Sequence, residues 1–83
     1  MSTTIKFIIF DCRDTAKQIQ LDIKPGTTIP QLAEQCVEVP GVTATAKQII
    51  TKNCLVDGIY KPPSYVFSGE ERQVVFVEMI AGG

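Results

Sequence analysis

The fold is decided by residues 74–83, which run Val74-Val75-Phe76-Val77-Glu78-Met79-Ile80-Ala81-Gly82-Gly83. The stretch is apolar as far as Ala81, with Glu78 as its one charged residue. A strand that is buried on both faces has this pattern, because neither of its faces has to be polar. We therefore predict a strand in the middle of a sheet, followed by the pair Gly82-Gly83.

A similar apolar run lies near the start of the chain. Residues Ile5–Phe10 are β-branched or aromatic apart from Lys6, and they predict a first strand. After a polar turn at residues 11–14, Ile19, Leu21 and Ile23 alternate with polar residues, which predicts a half-buried strand over residues 17–23. These two strands form a hairpin, and the first is expected to lie parallel to the last.

One long helix is predicted from Thr28 to about Val39. Thr28 is followed by Gln31 in the spacing of a capping box, and Pro30 stands in the first turn, where it is tolerated. An apolar stripe with helical spacing follows, and it consists of Ile29, Leu32, Ala33, Cys36 and Val37. We expect this helix to pack on the first, second and last strands and to end before Pro40-Gly41.

The middle of the chain has a weaker pattern. Residues 42–53 show no clear period, and we expect a loop that leads into a strand within residues 49–56, although 47–51 also fits a short helical turn. Asp57-Gly58 predicts a turn, and the short strand after it leaves the sheet at Pro62-Pro63.

A hairpin, a helix and further strands, the last of them central, describe an α+β fold of the β-grasp (ubiquitin-like) type. We expect a mixed sheet of four to five strands with one main helix on one face. A length of 83 residues fits one domain, residues 1–83. Residues 82–83 are expected to form a flexible C-terminal tail.

Composition argues against several classes of function. A net charge of −1 is unlike the basic surface of a nucleic-acid-binding protein, and histidine, the commonest general base and metal ligand, is absent. Cys12, Cys36 and Cys54 lie far apart, so we expect apolar fillers and neither a disulfide framework nor a metal site. Neither a secretory signal nor a membrane span is predicted, and we expect a cytoplasmic protein.

The glycine pair has a specific physical use. Glycine has no side chain to obstruct a narrow channel and accepts almost any backbone conformation. We therefore expect Gly82-Gly83 to carry the terminal carboxylate into the active site of another protein. The alternative is a plain interaction domain with an accidental glycine pair.

The order of elements and the sequence Phe76-Val77-Glu78-Met79-Ile80-Ala81-Gly82-Gly83 resemble the ubiquitin-like sulfur carriers. The tail Ile80-Ala81-Gly82-Gly83 is most similar to the sulfur carrier of thiazole (thiamin) biosynthesis. The small subunit of molybdopterin synthase and the ubiquitin-related modifiers end in similar diglycines. The resemblance covers residues 4–39 and 54–83, and it does not extend to residues 40–53.

This resemblance implies a carrier and not an enzyme. A ubiquitin-activating-type adenylating enzyme would use ATP to adenylate Gly83, and a persulfide protein would convert it to a thiocarboxylate. The sulfur would then pass to thiazole synthase or another acceptor enzyme, molybdopterin synthase being the second choice. No bound cofactor, metal, nucleic acid or membrane is implied. A protein modifier conjugated to lysines through Gly83 would share the same tail and activation step.

Strand alternation predicts where the activating enzyme docks. If Val74 and Phe76 face the helix, their neighbours point to the opposite face of the sheet. This predicted docking face consists of Ile8, Phe10, Val75, Val77 and Met79, and Ile80, Ala81 and Gly82 would contact the same partner. The alternative is that residues 42–53 fold over this face and bury it.

Overall fold

The computed structural model describes residues 2–78. The strands in this range are β1 (Thr3–Ile8), β2 (Gln18–Leu21), β3 (Asn53–Val56), β4 (Ile59–Lys61) and β5 (Gln73–Val77). The helices are α1 (Ile29–Val37) and α2 (Ala46–Ile50).

Strand β5 lies at the centre of the sheet, whose order is β2-β1-β5-β3-β4. It runs parallel to β1, with Thr4 opposite Gln73 and Ile8 opposite Val77. It runs antiparallel to β3, and the β1–β2 and β3–β4 pairs are antiparallel hairpins. This mixed sheet with a helix packed against it confirms the predicted α+β, β-grasp-like fold and the central position of the last strand.

The predicted strand β1 is displaced by two residues at each end. It begins at Thr3 and ends at Ile8, whereas the apolar run Ile5–Phe10 predicted both limits later in the chain. A turn ends the strand, because the Cys12 N–H donates to the carbonyl of Ile9. The prediction that Phe10 belongs to β1 is therefore wrong, since an apolar side chain does not by itself extend a strand into a turn.

Helix α1 begins as the sequence predicts. The Thr28 hydroxyl accepts a hydrogen bond from the Gln31 N–H, and the Gln31 side chain accepts one from the Thr28 N–H. The predicted stripe faces the core, with Ile29, Leu32, Ala33 and Cys36 buried and Val37 partly buried. The helix ends at Val37, two residues before the predicted limit.

The loop expected within residues 42–53 is partly a helix. Helix α2 spans Ala46–Ile50 and has its own capping box, formed by Thr45 and Gln48. Its Ile49 side chain is fully buried in the same core as α1 and the sheet. An isolated helix this short is marginal in water, so this tertiary contact stabilises it. Strand β3 follows at Asn53, inside the predicted range.

A tight turn joins β3 to β4 at the predicted Asp57-Gly58. Both residues have positive φ, 50° for Asp57 and 84° for Gly58, which suits a two-residue hairpin loop. The Asp57 carboxylate also accepts hydrogen bonds from the backbone N–H groups of Arg72 and Gln73, at 3.1 and 3.0 Å. The turn therefore holds the start of β5 in place.

The segment between β4 and β5 is attached to the entrance of α1. Phe67 is almost fully buried, its N–H donates to the Thr27 carbonyl, and its carbonyl accepts from the Gly26 N–H. An isolated bridge links Val66 to Thr28. The segment 65–67 is thus attached to the core through the buried Phe67 side chain, whereas Val66 is exposed.

Glu71 organises the turn that precedes β5, and only 7% of the residue is exposed. One carboxylate oxygen accepts hydrogen bonds from the Tyr65 hydroxyl at 2.6 Å and from the Ser68 N–H at 2.8 Å. The other accepts from the Gly69 N–H at 2.9 Å. The Glu71 backbone carbonyl accepts from the buried Thr3 hydroxyl of β1 at 2.7 Å.

These contacts favour the charged form of Glu71. Burial alone would raise the pKa of its carboxyl, but the hydrogen bonds from Tyr65, Ser68 and Gly69 lower the pKa from 4.5 to about 2. The same hydrogen bond, aided by burial, raises the pKa of Tyr65 to about 12. Since the folded-state pKa lies below the ordinary value, Glu71 stabilises the fold above about pH 4.5, and this stabilisation is lost as the pH falls towards 2.

We expect Glu71→Gln to lower the free energy of unfolding by about 1–3 kcal/mol at neutral pH, because donors that now face a carboxylate would meet an amide. The variant should also lose part of the pH dependence between about 4.5 and 2. Urea unfolding at a series of pH values measures both effects. Glu70→Gln, at the exposed neighbouring position, is the control. Equal stability and equal pH dependence in both variants would contradict the role of Glu71.

Candidate functional site

The face of the sheet opposite α1 carries a set of side chains that point away from the core. Strand alternation buries Val74 and Phe76 completely and leaves Val75 and Val77 half-buried on the other side. We call this surface the open face, and its members are Lys6, Ile8, Asn53, Leu55, Tyr60, Val75 and Val77. The expected division of β5 into a core side and an outer side is thus observed.

The strand register arranges the open face in rows across the sheet. Val75 lies between Lys6 of β1 and Leu55 of β3, and Leu55 lies opposite Tyr60 of β4. In the next row, Val77 lies between Ile8 and Asn53. Ile8 is 48% exposed and Tyr60 is 53% exposed, so the apolar side chains of both rows are accessible at their margins.

Residues 42–53 do not take the covering position that we considered for them. Ala44 and Ile49 are buried in the core together with Leu32 of α1 and Phe76 of β5. Both helices therefore lie on the core side of the sheet. Neither helix of residues 2–78 covers the open face, and its role in docking stays a prediction.

The predicted site residues divide into three groups. Ile8, Val75 and Val77 lie together on the open face. Phe10 lies in the turn after β1 and is 53% exposed, so strand alternation does not place it on that face. The predictions for Met79, Ile80, Ala81, Gly82 and Gly83 concern positions outside the described residues.

The end of β5 is held from both neighbouring strands. The Glu78 N–H donates to the Ile8 carbonyl of β1 at 3.1 Å. On the other side, its carboxylate accepts a hydrogen bond from the Lys52 ammonium group at 3.0 Å, just before β3. Asp11 lies 3.8 Å from the same ammonium group. The backbone position from which the chain continues to Gly82-Gly83 is therefore fixed to the sheet.

The three cysteines are free thiols that contribute to packing. Burial raises the pKa of the Cys36 thiol to about 12 and that of Cys54 to about 11, so both are protonated near neutral pH. The Cys12 thiol donates to the Gln48 side chain of α2 at 3.3 Å. Each thiol fills space or supports a helix, as a small apolar side chain does.

The described range, residues 2–78, contains no cluster of three or more histidine, cysteine, aspartate or glutamate side chains arranged to hold a metal ion. None of its helices is long and apolar enough to cross a membrane.

Sequence reasoning missed several members of the site. Leu55 and Tyr60 complete the open face, and Leu55 could not be assigned to it from the sequence, because Cys54, Leu55 and Val56 are all apolar and only the structure shows their alternate burial. The contact between Lys52 and Glu78 depends on the β3–β5 register, which no local pattern specifies. Helix α2 could have been found from Thr45 and Gln48, which repeat the spacing of Thr28 and Gln31.

Comparison of the chain with protein-family models, with curated proteins and with solved structures found no match. The case for a function therefore rests on the fold, the open face and the sequence after β5.

If the open face docks a partner, Val77→Asp should weaken binding to the activating enzyme about tenfold or more, because it places a charge in an apolar contact. The fold should lose only about 1 kcal/mol, since the side chain points away from the core. Calorimetric titration measures binding, and urea unfolding measures stability.

Val74→Asp is the matched control, because it places the same charge on the same strand, three residues earlier and on the buried side. It should unfold the domain. A Val77→Asp variant as unstable as this control would mean that the open face is a second core, and undiminished binding would mean that the partner docks elsewhere.

Proposed function

We propose that this chain is a ubiquitin-like sulfur carrier whose Gly83 is adenylated by a partner enzyme and then converted to a thiocarboxylate. Thiazole synthesis is the first candidate for its pathway, on the resemblance of Ile80-Ala81-Gly82-Gly83. The observation that carries the proposal is the position of β5. The central strand of a β-grasp-like sheet leads, after Glu78, into a sequence with an adjacent glycine pair.

The topology supports the proposal because the end of β5, from which the chain continues to Gly83, lies beside the open face. Parallel β1 and β5 bring their carboxyl ends to the same edge of the sheet, so Ile8 lies opposite Val77. The open face therefore continues up to the place where Glu78 leads towards Gly83. A partner that binds this face would receive the following residues in a defined direction.

The chemistry needs little from the carrier besides its carboxylate. The carboxylate oxygen attacks the α-phosphate of ATP, and pyrophosphate leaves. The terminal sulfur of a persulfide then attacks the acyl carbon of the adenylate, and AMP leaves. A second thiol cleaves the sulfur–sulfur bond and is oxidised to a disulfide, which leaves the thiocarboxylate on Gly83. The partners supply the catalytic groups, and the buried, protonated Cys36 and Cys54 are unsuited to the nucleophilic steps.

Intact mass spectrometry of the protein from its native cell tests the sulfur carrier directly. We expect a form that ends at Gly83, and a second form heavier by the difference between one sulfur and one oxygen atom. Alkylation should label the second form once more than the first, because a thiocarboxylate is a nucleophile. Conjugates on the lysines of other proteins, without the heavier form, would identify a protein modifier instead. If every form of the protein continued beyond Gly83, neither a sulfur carrier nor a protein modifier that acts through Gly83 would be supported.

Activation should depend on the position of the carboxylate. Deleting Gly83 withdraws it by about 3.3–3.6 Å along an extended chain, which should reduce the rate of ATP–pyrophosphate exchange about a hundredfold. Adding one residue after Gly83 should have a similar effect, because that residue occupies the place of the nucleotide. The assay uses the matched activating enzyme, the wild-type protein and the two variants, whose urea unfolding midpoints should equal that of the wild type. Equal exchange for all three proteins would contradict the proposal.

A further inference from the structure

We propose that Lys52 is a positioning residue that holds the end of β5, at Glu78, beside the start of β3. This inference deepens the proposed function and rests on it for its effect on adenylation. Its structural part stands on the contacts of residues 52 and 78 alone. Neither residue belongs to the open face, so the role of Lys52 differs from docking.

The register of the sheet explains why these two residues meet. Asn53 lies opposite Val77 in the antiparallel β3–β5 pair, and one step further along the same register places Lys52 opposite Glu78. Strand β3 begins only at Asn53, so residue 52 lies outside the ladder. The contact from the Lys52 ammonium group to the Glu78 carboxylate, at 3.0 Å, joins the segment before β3 to the residue after β5.

The surroundings shield this ion pair from solvent more than an ordinary surface pair. The Lys52 side chain is only 7% exposed and that of Glu78 is 35% exposed, so water screens their attraction incompletely. Asp11, at 3.8 Å, faces the same ammonium group from the turn after β1 but is 72% exposed, and it contributes less. Lys52 thus connects β3, the end of β5 and the turn after β1.

Loss of this connection would change the reach of the tail. Within residues 2–78, Glu78 keeps one backbone hydrogen bond, from its N–H to the Ile8 carbonyl of β1. If that bond also opens, the chain leaves the sheet at Val77, and the last position held by the sheet before Gly83 moves back by one residue. A shift of one extended residue is about 3.3–3.6 Å, which is enough to misalign a reacting carboxylate.

The test compares Lys52→Met with Lys24→Met, a matched change at an exposed lysine. Methionine keeps the length and apolar stem of Lys52 and leaves Glu78 able to reach solvent, so the fold should survive. Amide hydrogen exchange at Glu78 should become about tenfold faster in Lys52→Met, with the amide of buried Phe76 unchanged. Lys52→Arg, which keeps the cation, should restore protection. Unchanged exchange at Glu78, or equal acceleration at Phe76, would overturn the proposal.

Kinetics with the activating enzyme test the positioning effect. Lys52→Met should lower kcat of ATP–pyrophosphate exchange about tenfold with little change in KM, because the open face is intact. A rise in KM alone, or an unchanged kcat, would overturn the effect on adenylation. If the wild-type protein is not adenylated, the proposed function fails, whereas the exchange data at Glu78 still decide whether Lys52 holds the end of β5.

Discussion

Parallel pairing between β1 and β5 requires the chain to cross from one end of the sheet to the other, because a tight turn cannot join two parallel strands. The rest of the structure follows from this requirement. Hairpin strand β2 covers the outer edge of β1, α1 covers one face, and β3 with β4 pairs the remaining edge of β5. The same pairing brings Ile8 and Val77, at the C-terminal ends of β1 and β5, next to each other. The open face therefore adjoins the end of β5.

Charged side chains hold β5 at both of its ends. At its start, the Asp57 carboxylate accepts hydrogen bonds from two backbone N–H groups. The Glu71 carboxylate accepts hydrogen bonds from two backbone N–H groups of the preceding turn. At its end, Lys52 binds Glu78. The strand between them is fixed by apolar burial of Val74 and Phe76. Burial thus places the strand in the core, and the polar contacts limit where it starts and stops.

Much of the fold could be predicted because its signals are local. Apolar runs located β1 and β5, and Thr28 with Gln31 located the start of α1. A short helical turn over residues 47–51 was only the alternative to a loop, because a helix of five residues is too short to show a clear apolar period, and α2 is stabilised by burying Ile49. Phe10 was placed on a strand because its side chain is apolar, although the turn begins earlier. The hydrogen bonds of Glu71 and Lys52 depend on tertiary register, which a single sequence does not reveal. The roles of Ile8, Val75, Val77 and Gly83 stay predictions.

The contact between the Thr3 hydroxyl and the Glu71 carbonyl joins residues separated by 68 positions. Such long-range closure slows folding, because the entropy of the intervening chain is lost before the contact forms. During synthesis, β1 and β2 exist before β5 does, and the inner edge of β1 then has unpaired backbone groups beside Ile5 and Phe7. An apolar strand edge of this kind pairs readily with other chains. Chains interrupted before residue 73 would therefore be prone to aggregate.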